Sequence, residues 1–200
     1  VLLHAWGWRL LQLPVPVAGV ASRLNVLVLQ PAIPTREKFS WSQQQALLRR
    51  LAGAQLQAER QGADALVLPE GALSVGQSLP QAAQVEVLSG GFRDVDGALR
   101  SAVLRFEPGQ LDPAQAIDKH RLVPLGEWIP GGRWLSWAGL SAVGGVSFGE
   151  PSRLLARPAG AVGVAICYEI ADGSALAAAA RDGAGWLLAS ANLDPYPAQL

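Results

Sequence analysis

The hydrophobic pattern divides the chain into two parts. Residues 1–21 are mostly apolar and contain no acidic residue. Pro14 and Pro16 interrupt this run, whereas a membrane-spanning helix needs about 20 uninterrupted apolar residues. We interpret residues 1–23 as an apolar segment at a membrane edge or a connector, and residues 24–200 as the folded domain. A segment packed on that domain and a signal peptide are the alternatives.

Beyond the apolar segment, the pattern first predicts a strand, a helix and a second strand. The runs at 25–30 and 65–68 are rich in valine and leucine, which is typical of buried strands. Between them, leucines recur at helical spacing over residues 40–61, with Ser40 or Ser42 as the N-cap. This order predicts a βαβ unit.

The remaining pattern predicts shorter elements and an α/β domain with layered sheets. Neighbouring antiparallel strands are predicted at residues 85–91, 98–106 and 115–118. Residues 119–137 are interrupted by proline and glycine and predict a loop. Further strands are predicted at 153–157, 161–166 and 185–190, and an alanine-rich helix at 172–182.

The composition argues against a nucleic-acid partner, a disulfide and a zinc site. Lys plus Arg and Asp plus Glu each number 16, so the net charge is zero and a nucleic-acid partner is not expected. One cysteine and two histidines allow no intrachain disulfide and offer few zinc ligands. We predict no cofactor and no metal. The mean hydropathy of +0.22 is compatible with lipid contact.

Cys167 is a candidate nucleophile because it follows a predicted strand. A free cysteine is commonly only a small buried hydrophobe. However, ligands bind at the carboxyl ends of strands in open α/β sheets, and the N-terminus of the next helix would favour a thiolate. Glu169, two residues further on, adds an acidic group.

A catalytic thiol needs a base, and two residues are candidates. His120 lies in the predicted loop. Glu70 ends a predicted strand, where poor solvation of its carboxylate would suit proton exchange near neutral pH. A solvated turn residue is the alternative interpretation of Glu70.

Lys119 is the candidate positive charge of the site. In the run from Asp118 to Arg121 it could be one member of a solvated charged loop. Alternatively, it would stabilise an oxyanion and lower the pKa of a nearby thiol. Glu127 would then hold either the lysine or a substrate amine in place.

In the order Glu70, Lys119, Cys167, with spacings of 49 and 48 residues, these groups resemble the Glu-Lys-Cys triad of the nitrilase (carbon–nitrogen hydrolase) superfamily. The sequence DKHRLVPLGEWIP at 118–130 resembles the lysine motif of its membrane branch, the apolipoprotein N-acyltransferase family. The sequence ICYEI at 166–170 is similar to the nucleophile motif of that branch.

The resemblance extends over residues 24–200 and implies a nitrilase-like α-β-β-α sandwich, here expected to be incomplete at its C-terminal end. It implies a role for each matching residue: Glu70 as general base, Lys119 as oxyanion stabiliser, Cys167 as nucleophile, and Glu127, Tyr168 and Glu169 as supporting residues. It also implies transfer of a fatty acyl chain from a phospholipid, through a cysteine thioester, to the N-terminal amine of a diacylglyceryl-cysteine lipoprotein. The implied location is the bacterial inner membrane, with the catalytic domain facing the periplasm.

Two features differ from the family pattern or extend it. Residues 190–196 read SANLDPY where the family commonly has a Ser-Asn-Asp-x-Trp-like stretch, which puts the substrate-side loop in doubt. The stretch containing Trp128, Trp134 and Trp137 predicts a lipid-facing arm, with a core position as the alternative. The other functions compatible with the sequence are an amidase that hydrolyses a small amide with the same triad, and a non-enzymatic scaffold.

Overall fold

The computed structural model describes residues 24–34, 40–124, 126–128 and 145–192, together with isolated positions at 5, 6, 8, 9, 12 and 37. The strands are β1 Val26–Val28, β2 Ala65–Leu73, β3 Glu86–Val95, β4 Ala98–Phe106, β5 Gln115–Asp118, β6 Leu154–Leu155, β7 Val162–Ile166 and β8 Trp186–Ser190. The helices are α1 Trp41–Arg60 and α2 Gly173–Arg181, with a 3₁₀ helix at Cys167–Ala171.

The strands form two sheets. The larger sheet has the order β1-β2-β3-β4-β5, and the smaller has the order β6-β7-β8. Strands β1, β2 and β3 are parallel, whereas β3, β4 and β5 are antiparallel neighbours. Since α1 connects the parallel strands β1 and β2, the predicted βαβ unit and the predicted antiparallel strands are both confirmed.

Helix α1 begins and ends where the sequence predicts. The Ser40 hydroxyl accepts a hydrogen bond from the backbone N–H of Gln43, 3.4 Å away, and satisfies one unpaired donor of the first turn. The helix ends at Arg60, and Gly62 then adopts a left-handed backbone with φ of +61°. The apolar stripe of α1, with Leu51 and Ala58 fully buried, faces the larger sheet.

Two apolar clusters hold four layers together. The first cluster lies between α1 and the larger sheet, and it includes Leu51, Ala58, Leu66, Val87, Leu104 and Phe106. The second cluster lies between the sheets, and it includes Val67, Leu88, Val103, Leu155, Val164 and Ile166. On the outer face of the smaller sheet, α2 approaches so closely that a Cβ on Gly163 would lie 3.0 Å from the Ala179 Cβ. The predicted α-β-β-α sandwich is therefore confirmed.

Strand β2 is longer than predicted. The sequence predicts its end at Leu68, but pairing with β3 resumes at Leu73, with a register shift between these residues. Pro69 and Glu70 lie in this irregular part, where the missing N–H of proline interrupts no regular ladder. The β2 irregularity therefore places Glu70 within the sheet, not in a turn beyond it.

Other differences are small or lie outside the described residues. Strand β3 continues to Val95 and β6 is reduced to two residues. Residues 119–124 and 126–128 form no helix or strand beyond one isolated bridge between Pro124 and Trp128, as the predicted loop requires. Most of residues 1–23 lie outside the described residues. In the part of the chain that is described, no helix is long and apolar enough to cross a membrane.

Candidate active site

The structure brings Glu70, Lys119 and Cys167 together, although they come from different strands. They lie in β2, directly after β5 and directly after β7. The Lys119 Nζ is 3.3 Å from Oε1 of Glu70, and both groups lie close enough to the Cys167 thiol to shift its pKa. A thiol, a carboxylate and an ammonium group are therefore brought together at one end of the sandwich.

Lys119 is fully buried between two carboxylates. Its Nζ donates to Oε1 of Glu127 at 2.7 Å as well as to Glu70. Burial alone would lower the pKa of Lys119, but the negative charges of Glu70 and Glu127 outweigh burial and raise it. The site thus favours the charged form of Lys119, and the solvated charged loop considered from the sequence is wrong for this residue.

Both carboxylate oxygens of Glu127 are hydrogen-bonded. Its Oε2 accepts a hydrogen bond from the backbone N–H of Val123 at 2.9 Å, while Oε1 receives the Lys119 ammonium. The peptide N–H of Glu127 in turn donates to the Val123 carbonyl at 2.9 Å, which closes a tight turn. The sequence prediction that Glu127 contacts Lys119 is confirmed.

Glu70 is positioned by backbone contacts on two sides. Its Oε2 accepts a hydrogen bond from the backbone N–H of Asn192, which follows β8, at 3.1 Å. On the other side, the backbone of Gly90 in β3 packs directly against the β2 irregularity. A Cβ on Gly90 would lie 2.3 Å from the Pro69 carbonyl oxygen and 2.5 Å from the Glu70 Cα.

Cys167 occupies a strained turn between β7 and the 3₁₀ helix. Its φ of +52° is in the left-handed region, which costs a non-glycine residue about 1–3 kcal/mol and is typical of functional sites. Burial raises the pKa of the Cys167 thiol, the charge of Glu70 raises it further, and Lys119 only partly opposes them. Lys119 thus lowers the pKa of the thiol, as expected from the sequence, but burial and Glu70 outweigh it. The predicted helix N-terminus does not lie at the thiol, because the 3₁₀ helix intervenes before α2.

Glu169 is a buried connector between the lysine and cysteine segments. Its Oε1 accepts hydrogen bonds from the backbone N–H groups of His120 at 2.7 Å and Arg121 at 3.0 Å. Its Oε2 accepts from the N–H of Ile166, the residue before Cys167, at 2.9 Å. The structure therefore gives Glu169 a defined supporting contact.

The structure places Tyr168 at the surface and His120 against the backbone. Tyr168 is exposed at the surface beside Cys167. The His120 Nδ1 lies 2.7 Å from the Gly149 carbonyl oxygen, a contact that orients the ring towards the backbone. Of the two candidate bases, it is Glu70 whose charge raises the pKa of the thiol.

Sequence reasoning missed two residues that shape the site. The backbone of Asn192 holds Glu70, and Arg153 forms a buried ion pair with Glu169 at 3.0 Å. Arg153 carries no recognisable motif and lies at the edge of a predicted strand. Only the tertiary contact between that strand and the lysine segment reveals it.

A mostly apolar cavity of about 330 Å³ opens beside Glu70. Its lining includes Pro31, Ile33, Leu47, Pro69, Ala72 and Glu70. Chemically, the assembled groups can activate a thiol, exchange its proton with a carboxylate and stabilise an oxyanion at an ammonium group.

Solved structures show the class of fold. An amidase from Nesterenkonia sp. AN1, with the acetamide moiety of fluoroacetamide on its active-site cysteine, matches with a TM-score of 0.57 at 13% identity. The match covers 86% of this chain and 66% of the amidase. Nit3 of Saccharomyces cerevisiae, a member of branch 10 of the nitrilase superfamily, matches with a TM-score of 0.53 at 16% identity, over 74% of this chain and 59% of Nit3. The chain has the nitrilase fold.

Curated relatives within that class share much more of the sequence. Apolipoprotein N-acyltransferase of Prochlorococcus marinus strain MIT 9313 is 48% identical over 200 residues, which is all of this chain and 39% of the relative. The enzyme of the same name from Parasynechococcus marenigrum strain WH8102 is 48% identical over 98% of this chain and 42% of its own length. No family model matches the chain. The chain is similar over its full length to relatives of this name and spans about two fifths of their length.

Proposed function

We propose that this chain carries the active site of an N-acyltransferase that modifies lipoproteins. The acyl donor is a phospholipid, and the acceptor is the N-terminal amine of a diacylglyceryl-cysteine lipoprotein. The observation that carries the proposal is the buried Lys119, which lies between Glu70 and Glu127 and near the Cys167 thiol, in a chain whose relatives bear this name. In this proposal residues 24–200 form the catalytic domain.

The first step forms an acyl-enzyme. Glu70 takes the proton of the Cys167 thiol, and the thiolate attacks an ester carbonyl of the phospholipid. The negative charge on the tetrahedral oxygen is stabilised by the Lys119 ammonium. The carbon–oxygen bond then breaks, and Glu70 returns the proton to the departing alkoxide. The products are a lysophospholipid and a Cys167 thioester.

The second step transfers the acyl chain to the lipoprotein. The neutral α-amine attacks the thioester carbonyl, and Glu70 accepts a proton from the attacking nitrogen. The carbon–sulfur bond breaks, an amide forms, and the sulfur recovers the proton from Glu70. The enzyme returns to its initial state, so the two substrates react in a ping-pong order.

The charges of the site favour this internal proton transfer. With a neutral thiol, the two carboxylates and one ammonium group carry a net charge of −1. Moving the proton from Cys167 to Glu70 leaves this total unchanged and places the new thiolate near the Lys119 cation. A buried site can accommodate such an exchange because no net charge is added to a medium of low polarity.

Lipid contact is part of the proposal. Trp128 directly follows Glu127, is about two fifths exposed, and packs edge-to-face on exposed Phe148 with 5.3 Å between ring centroids. Aromatic side chains are typical of membrane interfaces. We assign this pair to a lipid-facing arm beside the site, with residues 1–23 at the membrane edge. The enzyme would act at the bacterial inner membrane, with this domain in the periplasm. Trp134 and Trp137, which the sequence adds to the arm, lie outside the described residues.

The test is the intact mass of the protein after incubation with a phospholipid in detergent. We expect an increase equal to one acyl chain, absent in Cys167→Ser and lost on addition of a diacylglyceryl-cysteine peptide. Retention of the adduct in Cys167→Ser, or its absence from folded wild-type protein, would contradict the proposal.

A small-amide amidase is the second candidate, because solved structures of the same fold include amidases. It predicts ammonia release from small amides and no acyl adduct from phospholipid. A non-enzymatic scaffold predicts instead that Cys167→Ala leaves the function of the intact protein in cells unchanged.

A further inference from the structure

The site requires a fixed position of Lys119 relative to Cys167, although the two residues follow strands of different sheets. Lys119 follows β5 of the larger sheet, and Cys167 follows β7 of the smaller sheet. Glu169 binds the backbone on both sides of this gap, through His120 and Arg121 after the lysine and Ile166 before the cysteine. The orientation of the Glu169 carboxylate therefore sets how the two segments meet.

Arg153 fixes that orientation. Its Nη1 donates to Oε1 of Glu169 at 3.0 Å and to Oε2 at 3.1 Å. Its Nη2 donates to the carbonyl oxygen of Asp118, the residue before Lys119, at 2.6 Å, and to that of Glu150 at 2.7 Å. Its Nε donates to the Ser152 carbonyl at 3.0 Å.

The guanidinium group of Arg153 can bind all of these acceptors at once, whereas a lysine ammonium group cannot. Arginine presents donors in a rigid planar fork, so one side chain can reach a carboxylate and several carbonyls in fixed directions. Arg153 and Glu169 are both almost completely buried, and every nitrogen of the Arg153 guanidinium has an acceptor. Such burial excludes direct contact with a substrate and makes the geometry rigid.

We infer that Arg153 is a positioning residue of the acyl-transfer site: by locking Glu169 and the Asp118 carbonyl, it sets the placement of Lys119 against Cys167. This inference rests on the proposed function for its catalytic consequence. A misplacement of reacting groups by about 1 Å can reduce a rate about 100-fold. Arg153 thus acts through Lys119 and Cys167 without touching the reacting atoms.

The test compares Arg153→Lys and Arg153→Gln with the wild type in the intact protein. We expect the rate of acyl-enzyme formation to fall roughly 10- to 100-fold, with little change in the phospholipid concentration for half-maximal rate. We also expect the pH midpoint of Cys167 alkylation by iodoacetamide to rise, since Lys119 would be held less closely against the thiol.

Arg157→Lys is the matched control. Arg157 is equally buried, pairs with Glu86 at the opposite edge of the sheets, and has no bond to the site segments among the described contacts. Its replacement should lower the melting temperature without moving the alkylation midpoint. A purely structural role of Arg153 would produce this same pattern in Arg153→Lys.

Two results with the Arg153 variants would overturn the positioning role. A folded Arg153 variant with wild-type acylation and a wild-type alkylation profile overturns it. Loss of folding in both variants also overturns it, because Arg153 would then serve stability. If wild-type protein forms no acyl-enzyme, the proposed function fails, but the alkylation midpoints still show whether Arg153 positions Lys119 against Cys167.

Discussion

At the scale of single residues, the state of the Cys167 thiol defines the chemistry. Many reactive cysteines rely on a lowered pKa, but burial and the charge of Glu70 raise the pKa of this one. The structure therefore favours the neutral thiol, which needs a base for activation. In the proposed mechanism Glu70 is that base, and its charge also contributes to the raised pKa.

The substitution Glu70→Gln separates the effect of Glu70 on the thiol pKa from its proposed role as the base. Removing the carboxylate charge should lower the pKa of Cys167, so alkylation by iodoacetamide should reach its midpoint at a lower pH. Acyl-enzyme formation should nevertheless fall by about 100-fold or more, because no group accepts the thiol proton.

Glu127→Gln is the matched variant for this prediction. Glu127 contributes least among the causes of the raised pKa of Cys167, so the alkylation midpoint should fall less than in Glu70→Gln. A midpoint that rises in Glu70→Gln, or acylation at the wild-type rate, would show that Glu70 is not the base.

At the scale of elements, the site depends on an irregularity in a strand. Between Leu68 and Leu73, β2 departs from its register with β3, and Glu70 projects from this section. The close approach of Gly90 permits the departure, since any Cβ there would overlap the backbone of Pro69 and Glu70. The pair of strands therefore sets the position of Glu70.

Gly90→Ala should displace Glu70 and reduce both stability and acylation. We expect a loss of about 1–3 kcal/mol in the free energy of unfolding, as in overpacked cores, and a fall in acylation of roughly 100-fold. Denaturant titration and the mass assay measure the two effects.

Gly53→Ala is the contrasting substitution. Gly53 lies in the exposed part of α1 with no atom near its missing Cβ and no left-handed backbone. This change should raise the free energy of unfolding by about 0.5–1 kcal/mol and leave acylation unchanged. Equal effects of the two substitutions would refute the role assigned to Gly90.

At the scale of the whole molecule, a buried ion cluster joins the two sheets away from the site. Glu86, at the start of β3, accepts from Arg105 Nε of β4 at 2.6 Å and from Arg157 Nε, which follows β6, at 2.6 Å. All three side chains are almost completely buried. The cluster complements the apolar packing between the sheets at the edge opposite Cys167.

Glu86→Gln should therefore destabilise the sandwich strongly. Two buried guanidinium groups would lose their shared carboxylate, which costs about 3–5 kcal/mol in typical buried pairs. The free energy of unfolding by urea, with its slope, measures the loss.

Glu107→Gln provides the comparison, because Glu107 also pairs with Arg105 but is half-exposed. Its loss should cost about 0–1 kcal/mol. If both substitutions cost the same, the buried cluster does not hold the sheets together.

Local patterns in the sequence were sufficient for most elements. Ser40 and the spacing of Leu47 and Leu51 predict α1, because capping and helical periodicity act within a few residues. The end of β2 was predicted wrongly, because Pro69 is a terminator by local rules and only the pairing of Leu73 with Gly91 in β3 carries the strand past it.

The sequence by itself determined the order of the elements, the family resemblance and the residue types of the candidate site. Only the tertiary structure decided that Lys119 is buried between two carboxylates and that Arg153 locks Glu169. It also decided that burial and Glu70 outweigh the effect of Lys119 on the pKa of Cys167. The physical reason is that burial and charge interactions sum over groups brought together from distant parts of the chain, whereas periodicity and capping act between near neighbours.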